Sequence, residues 1–331
     1  MNQSVGVAPV TSRPAPAARQ RWIAGYRTEL AIGVAIVLLE LLVGALIPAA
    51  LSWGNFANVM QAAAPLIIMA IGVLLVVVTG GIDLSVGSVF SLSGMVTALA
   101  MAHGVGALGS SIAGLAVGLA CGAFNGFLVA WMGLAPFVVT LITYAVAGSL
   151  AFIVTNGHSM PIPDADYWLL NAGSLVPGVV NHMLYCVLLL FIVELVLKKV
   201  VVGRWLFAVG SSSQAAGLLG IPVRGVRLLA YTASGLLASF SGLVSISYIS
   251  NAESTAGSPL MLQAIAAVVI GGASLSGGTG SAVGALLGAL MITVIQNGVN
   301  LIGINSFWQG TVTGLVILAA ALIDRFSKQR R

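Results

Sequence analysis

The chain has 331 residues, 59% of them hydrophobic and 6% charged, with a formal net charge of +5 and a mean hydropathy of +1.09. So few charges cannot cover a soluble domain of this size, which excludes a water-soluble globular protein and indicates an all-α polytopic membrane protein. The basic excess does not indicate nucleic acid, because the Lys and Arg residues gather at the edges of apolar runs, where they face membrane lipid.

Residues 1–28, with Arg13, Arg19, Arg21 and Arg27 among Pro, Ala and Ser, read as a disordered tail. A span needs about 20 apolar residues. Runs between polar breaks place ten, at 30–50, 61–80, 85–103, 108–131, 136–155, 182–198, 228–249, 260–276, 281–302 and 305–324. The first run is a full span, too long for the apolar core of a cleaved signal peptide. A second basic cluster, Lys198, Lys199, Arg204, Arg224 and Arg227, sits centrally, and Arg325, Lys328, Arg330 and Arg331 close the sequence. Basic residues stay on the cytosolic side of a membrane. Both termini and the segment 199–227 are therefore expected in the cytosol, with six spans before the centre and four after it. The predicted organisation is a transmembrane domain over 29–325, an external loop at 156–181, a cytosolic loop at 199–227 and a basic tail at 326–331. The external side carries Asp164, Asp166 and Glu253 and no Lys or Arg.

Trp22, Trp53, Trp131, Trp168, Trp205 and Trp308 fall at or beyond span ends, where indole prefers to lie, as do Tyr26, Tyr167, Tyr185, Tyr231 and Tyr248. Tyr144 is the exception, near the middle of the fifth span. His103, His158 and His182 are read as solvated loop residues, and Cys121 and Cys186, inside apolar runs, as free buried thiols. Gly114, Gly118, Gly122 and Gly126 recur every fourth residue in the fourth span, and Gly280, Gly284 and Gly288 in the ninth, so each set lines one helix face for close packing. The likeness of these two stripes, five spans apart, is consistent with an inverted repeat. A second likeness, Gly80-Gly81-x-x-Leu84-Ser85-x-Gly87 with Gly271-Gly272-x-x-Leu275-Ser276-x-Gly278, lies in a different register.

The chain contains three lysines and no phosphate-binding Gly-x-x-x-x-Gly-Lys-Ser/Thr motif, and no His, Cys and carboxylate cluster has metal spacing. No cofactor or metal is expected, and no paired carboxylates or nucleophile–base set indicates an enzyme. Glu40, Asp83 and Glu194 are the carboxylates within or beside spans. Asp83 reads as a cap for the third span, a role compatible with a gate or pathway role. Glu194 and Lys198 have ion-pair spacing on a helix; Glu40 is left unassigned. Asn125, Thr140, Thr143, Tyr144, Gln296, Asn297 and Asn300 are the polar groups available to line a path, with Thr140, Thr143 and Tyr144 on one face; hydrogen bonding between helices is the alternative for them.

The most specific feature is Gly203-Arg204-x-x-x-Ala208-Val209-Gly210-Ser211-Ser212-Ser213-Gln214-Ala215-Ala216-Gly217-x-x-Gly220-Ile221-Pro222-Val223. Ser211 to Ser213 can cap a short helix over about 214–219 that Gly220 and Pro222 would end. Such a helix is a suitable knob for a partner's groove. Together with Gly80–Ser88, Ala264–Gly278 and Asn297-Gly298, this segment resembles the membrane permease subunit of bacterial ABC importers for ribose, xylose and galactose. The resemblance covers about 30–324. It implies a type II importer-like fold and a place in the bacterial cytoplasmic (inner) membrane. It also implies a dimer with a second permease copy or paralogue, an external sugar-binding protein and a cytosolic ABC ATPase. By position it makes Gly203, Arg204, Gly210, Ser211, Gln214, Ala215, Ala216, Gly220 and Ile221 ATPase-coupling residues. Asp83, Ser85, Asn125, Thr140, Thr143, Tyr144 and Asn297 are then candidates for the translocation path, and Asp164, Asp166 and Glu253 for binding-protein docking. Many relatives carry Glu-Leu-Asp where this chain has Met261-Leu262-Gln263. The expected function is passage of a monosaccharide or related polyol; the alternative is a stand-alone ion-coupled secondary transporter of a small polar solute.

Overall fold

A computed structural model describes residues 27–162, 167, 180–305 and isolated positions between 308 and 318. Nine helices correspond to the first nine expected spans: α1 (Arg27–Leu46), α2 (Trp53–Val78), α3 (Val86–Ala102), α4 (Ala107–Ala130), α5 (Pro136–Ile153), α6 (Asn181–Lys199), α9 (Val223–Ile249), α10 (Gly257–Ile270) and α11 (Ala282–Leu301). Two more, α7 (Val201–Ser211) and α8 (Ser213–Leu218), fill the central basic stretch, so the segment expected as a loop is largely helical. Among the described residues, seven helices are long and apolar enough to cross a membrane, whereas α3 and α10 are shorter.

Boundaries follow local chemistry. Helix α2 starts at Trp53, earlier than expected, because the Ser52 hydroxyl accepts the Asn55 N–H at 3.1 Å. Pro222 sits at the cap position of α9, which therefore also starts early. Helix α10 ends at Ile270, where Gly271-Gly272 interrupts the apolar run. Met160–Pro161 (β1) and Asn251–Ala252 (β2) pair antiparallel, tying the α5–α6 and α9–α10 connections together.

Helix α2, apolar on every side from Ala62 to Val78, is the buried post of the bundle. Helix α9 packs beside it and against α3 and α4. Gly118, Gly122 and Gly126 let α4 and α9 touch backbone to backbone, a methyl group at Gly118 would overlap the Gly235 carbonyl oxygen, and Gly114 faces Ser93 and Thr97 of α3. Gly284 and Gly288 bring α11 equally close to α10, at Gly271 and Ala267. Helices α2–α4 and α9–α11 thus follow the same order, a long helix, a short one and a glycine-striped one. Apolar side chains exposed along α1, α4, α5 and α6, among them Leu38, Leu42, Ile112, Phe124, Ile142 and Phe191, suit contact with lipid or another hydrophobic surface.

Three expectations about surface position are corrected. Tyr231 and Tyr167 are buried in the bundle, and His182 is buried where a solvated loop residue was expected. Tyr231 packs beneath Gly81, where no side chain stands in its way, and His182 lies edge-on to Tyr248 with Nε2 3.4 Å from the Ser247 hydroxyl. Cys186 is buried and Cys121 half-buried, both free.

Gly118→Ala should force α4 and α9 apart and lower stability by about 1–3 kcal/mol. Gly148→Ala, whose nearest neighbour would be Ser88 Cβ at 3.8 Å, should be tolerated. Thermal unfolding of the detergent-solubilised variants checks both.

Candidate functional site

Helix α3 and helix α10 begin side by side inside the bundle. Gly87 and Gly257 meet backbone to backbone, and Phe90 packs on both Gly242 and Gly257. Ser234 and Gly242 of α9, which mark this level through contacts to Asp83 and Phe90, flank the middle of that helix. Both short helices therefore start inside the bundle, beside the 234–242 stretch of α9. A helix start in hydrocarbon leaves N–H groups that water cannot satisfy. At α10 the Gly257 N–H donates to the Ser91 hydroxyl at 3.0 Å.

At α3 the solution is Asp83. The segment Gly80–Leu84 is non-helical, and Gly80 takes φ +80°, the left-handed region that glycine enters without penalty. This turn folds the chain back into the bundle and buries the Asp83 carboxylate, which is 1% exposed. Its Oδ1 accepts from the Ser85 N–H at 2.9 Å and the Ser85 hydroxyl at 2.6 Å, and its Oδ2 from the Ser234 hydroxyl at 2.8 Å. Three donors and the positive end of α3 stabilise the carboxylate without a cation. The Ser85 hydroxyl in turn accepts from Asn125 Nδ2 at 2.9 Å, and Asn125 Oδ1 accepts from the Thr143 hydroxyl at 2.5 Å. Thr140 donates to the Pro136 carbonyl at 2.9 Å and lies 3.2 Å from that of Ile82. A continuous buried polar chain thus joins α9, the α2–α3 turn, α3, α4 and α5.

Five residues expected on a path, Asp83, Ser85, Asn125, Thr140 and Thr143, are brought together by this chain, all buried. Tyr144 lies beside them on α5, half-buried. Asn297 stands apart: it exchanges hydrogen bonds with Asn55 at 3.2 and 3.0 Å, joining α11 to the start of α2. Sequence reasoning missed Ser234 and Asn55, which lie far along the chain from their partners.

In the central segment, α8 covers Ser213–Leu218, one residue from its expected start, and Ser212 is the cap, accepting the Ala215 N–H at 3.2 Å. Gly220 takes φ +78° and ends it, and Ile221 N–H returns to the Ala216 carbonyl at 3.1 Å. Arg204, Ser211, Gln214 and Ala215 are exposed, whereas Gly203 and Ala216 are buried. Leu218 and Leu219, not singled out from the sequence, are 90% and 81% exposed and form an apolar tip. The other end of the segment is fixed. A side chain at Gly210 would overlap the Val78 carbonyl at the end of α2, and that same carbonyl accepts the Gly278 N–H at 2.9 Å. The two Gly-Gly segments alike in sequence thus meet in space, Gly80 packing against Ser276 and Gly277 with Gly210 between them. Nearby, Glu194 pairs with Lys198 and accepts the Ala282 N–H at 3.2 Å, while Glu29 accepts from Ser281 at 2.8 Å.

Glu253 is exposed just after β2, 3.3 Å from Asn251 Nδ2. Asp164 and Asp166 lie outside the described residues.

Apolar helices around two shorter helices that start in the interior, with a helical knob at the basic end, define a membrane permease. The family described as "Branched-chain amino acid transport system / permease component" matches residues 55–321, and the chain belongs to it. It is 72% identical over 313 residues to a probable ABC transporter permease protein, y4mJ, of Sinorhizobium fredii, covering 95% of this chain and 94% of that one. It is 36% identical over 294 residues to the ribose import permease protein RbsC of Escherichia coli (88% and 92% covered), and 33% identical over 276 residues to the D-allose transport system permease protein AlsC of the same species (83% and 84%). A solved structure described as an inward-facing conformation of a metal-chelate type ABC transporter shares the fold, with a TM-score of 0.50 at 15% identity, covering 90% of this chain and 99% of that one. The protein is a multi-pass transport subunit of an ABC importer, working with a separate ATPase and a substrate-binding protein.

Asn125→Leu keeps the branched shape but strands the Thr143 hydroxyl in the interior and removes one donor to the Ser85 hydroxyl, which keeps its bond to Asp83. It should cost about 1–3 kcal/mol for each group left unsatisfied. A lowered unfolding midpoint, with a smaller drop for Thr143→Val, is the expected result.

Proposed function

We propose that the chain forms the translocation path for a monosaccharide or related polyol, delivered by an external binding protein and driven by an ATPase docked on α7 and α8. The observation that carries the reading is the contact of Gly210 with Val78 and Gly278. It joins a protruding knob to the end of α2 and to the α10–α11 connection, beside the α2–α3 turn. Closure of an ATPase pair would shift α8, and close-packed backbones with no slack would pass that shift to the α2–α3 turn. Two relatives are named for ribose import and D-allose transport, which supports the sugar class.

The clustering of Lys and Arg supports a cytosolic position for the 199–227 segment and for both termini, with the 1–28 and 326–331 tails. The acidic end, with Asp164, Asp166 and Glu253, faces the binding protein and favours basic lobe tips. On the permease itself, Tyr144 presents a polar group at the surface of α5 where a second copy would close the path. Asp83, Ser85, Asn125, Thr140 and Thr143 hold that helix in place from behind, and Asn297 steadies α11. A neutral sugar needs hydroxyl partners along a wet path and no deep well.

The test is reconstitution in liposomes with the ATPase and binding protein. ATP-dependent uptake of labelled ribose or allose supports the reading; uptake without the ATPase would favour a secondary transporter. Leu218→Ser with Leu219→Ser should cut transport-coupled ATP hydrolysis about tenfold, the order expected when apolar anchors of an interface are lost, while the permease stays folded. Tyr144→Phe should change the rate or the sugar preference, and unchanged values for both would remove Tyr144 from the path. Asp164→Lys with Asp166→Lys should weaken binding-protein docking most at low salt.

A further inference from the structure

At the basic end a cavity of about 250 Å³ opens between the α2–α3 turn, the α4–α5 connection and the first turns of α9. The polar chain described above does not enter it, since both Asp83 oxygens are directed to Ser85 and Ser234. Arg227 and Tyr231, one turn apart on α9, both line it. No carboxylate pairs with Arg227 among the described residues. Tyr231 is 1% exposed; its hydroxyl is buried under Gly81 beside the backbone of Ile82, and its own proton finds no acceptor among the described residues. A buried hydroxyl left in that state costs stability unless a ligand completes it. The third side of the cavity is the start of α5 at Pro136, capped by Ala135 with no side-chain hydrogen bond, so its positive end faces the same space.

An unpaired guanidinium, an unspent phenol donor and an uncapped helix start around one opening are the donor set that recognises phosphate. Exposed Trp131, Met132 and Leu134 form an apolar rim beside it, as at the level of lipid headgroups. We infer that this pocket binds a phosphate group, presented by an anionic lipid headgroup or a soluble phosphate ester. The inference concerns a site apart from the transported solute and holds whichever sugar is carried.

The test uses the full chain purified in detergent, as wild type, Arg227→Gln, Tyr231→Phe and Arg224→Gln, each checked for folding by its unfolding midpoint. Arg224 is exposed, outside the cavity lining, and controls for loss of charge alone. Native mass spectrometry measures retention of phosphatidylglycerol against phosphatidylcholine, and a parallel titration with inorganic phosphate follows the unfolding midpoint. Preferential retention of phosphatidylglycerol, weakened about tenfold in Arg227→Gln and reduced in Tyr231→Phe but kept in Arg224→Gln, supports a lipid-borne phosphate. A phosphate-dependent rise in midpoint lost in the same two variants, with equal lipid retention, supports a soluble source. The inference is overturned if neither ligand distinguishes wild type from Arg227→Gln, or if Arg224→Gln loses as much. Should Arg227→Gln fail to fold, Tyr231→Phe decides, because it removes only the hydroxyl.

Discussion

A helix that starts in hydrocarbon must find partners for its first N–H groups within the protein. This chain starts two inside its own bundle, away from water. Asp83 answers the demand for α3 and Ser91 for α10, and the geometry around both follows from that necessity. A carboxylate with no cation is tolerable at such a depth only when donors surround it. The donors come from Ser85 itself and from Ser234 on the neighbouring long helix. Extending the set through Asn125 to Thr143 fixes α4 and α5 relative to the same turn. One solvation requirement therefore orients five elements.

The glycines act on the same design from the opposite side. Where the polar chain sets orientation, the absence of side chains sets distance, bringing α4 onto α9, α10 onto α11, and Gly210 onto the two Gly-Gly segments. Backbones in direct contact leave no room for sliding without transmission. A permease with no ATP site of its own motif set must receive work mechanically, and a rigid contact between knob and interior is the physical means. The exposed Leu218 and Leu219 at the free tip and the locked Gly210 at the base divide the segment into a part that meets a partner and a part that meets the core.

Much of this was legible in the sequence. Apolar runs located nine helices within a few residues, apart from the early starts of α2 and α9 and the early end of α10, and the Ser-rich and Gly-Pro punctuation located α8. What runs of hydrophobicity measure is length, not depth. The stretches 85–103 and 260–276 read as ordinary spans because the length of an apolar run does not report where in the bundle its helix begins, so helix starts in the interior were invisible. Asp83 was identified as a cap, but its bond to Ser234 joins residues 151 positions apart, which no local periodicity reports. Tyr231 and His182 were misplaced for a related reason: proximity to a span end in sequence says nothing about which neighbours cover a side chain. The likeness of the two Gly-Gly segments was visible, but not that they touch.

The account stands on the claim that work applied at α8 reaches the interior helix starts. Hydrogen–deuterium exchange of the full transporter in lipid, comparing peptides that span 82–90 and 254–262 with and without trapped nucleotide on the ATPase, measures this directly. Strong protection at rest and faster exchange in the nucleotide-trapped state is the predicted outcome. Unchanged protection of both peptides, in a complex that still hydrolyses ATP and moves solute, would contradict it.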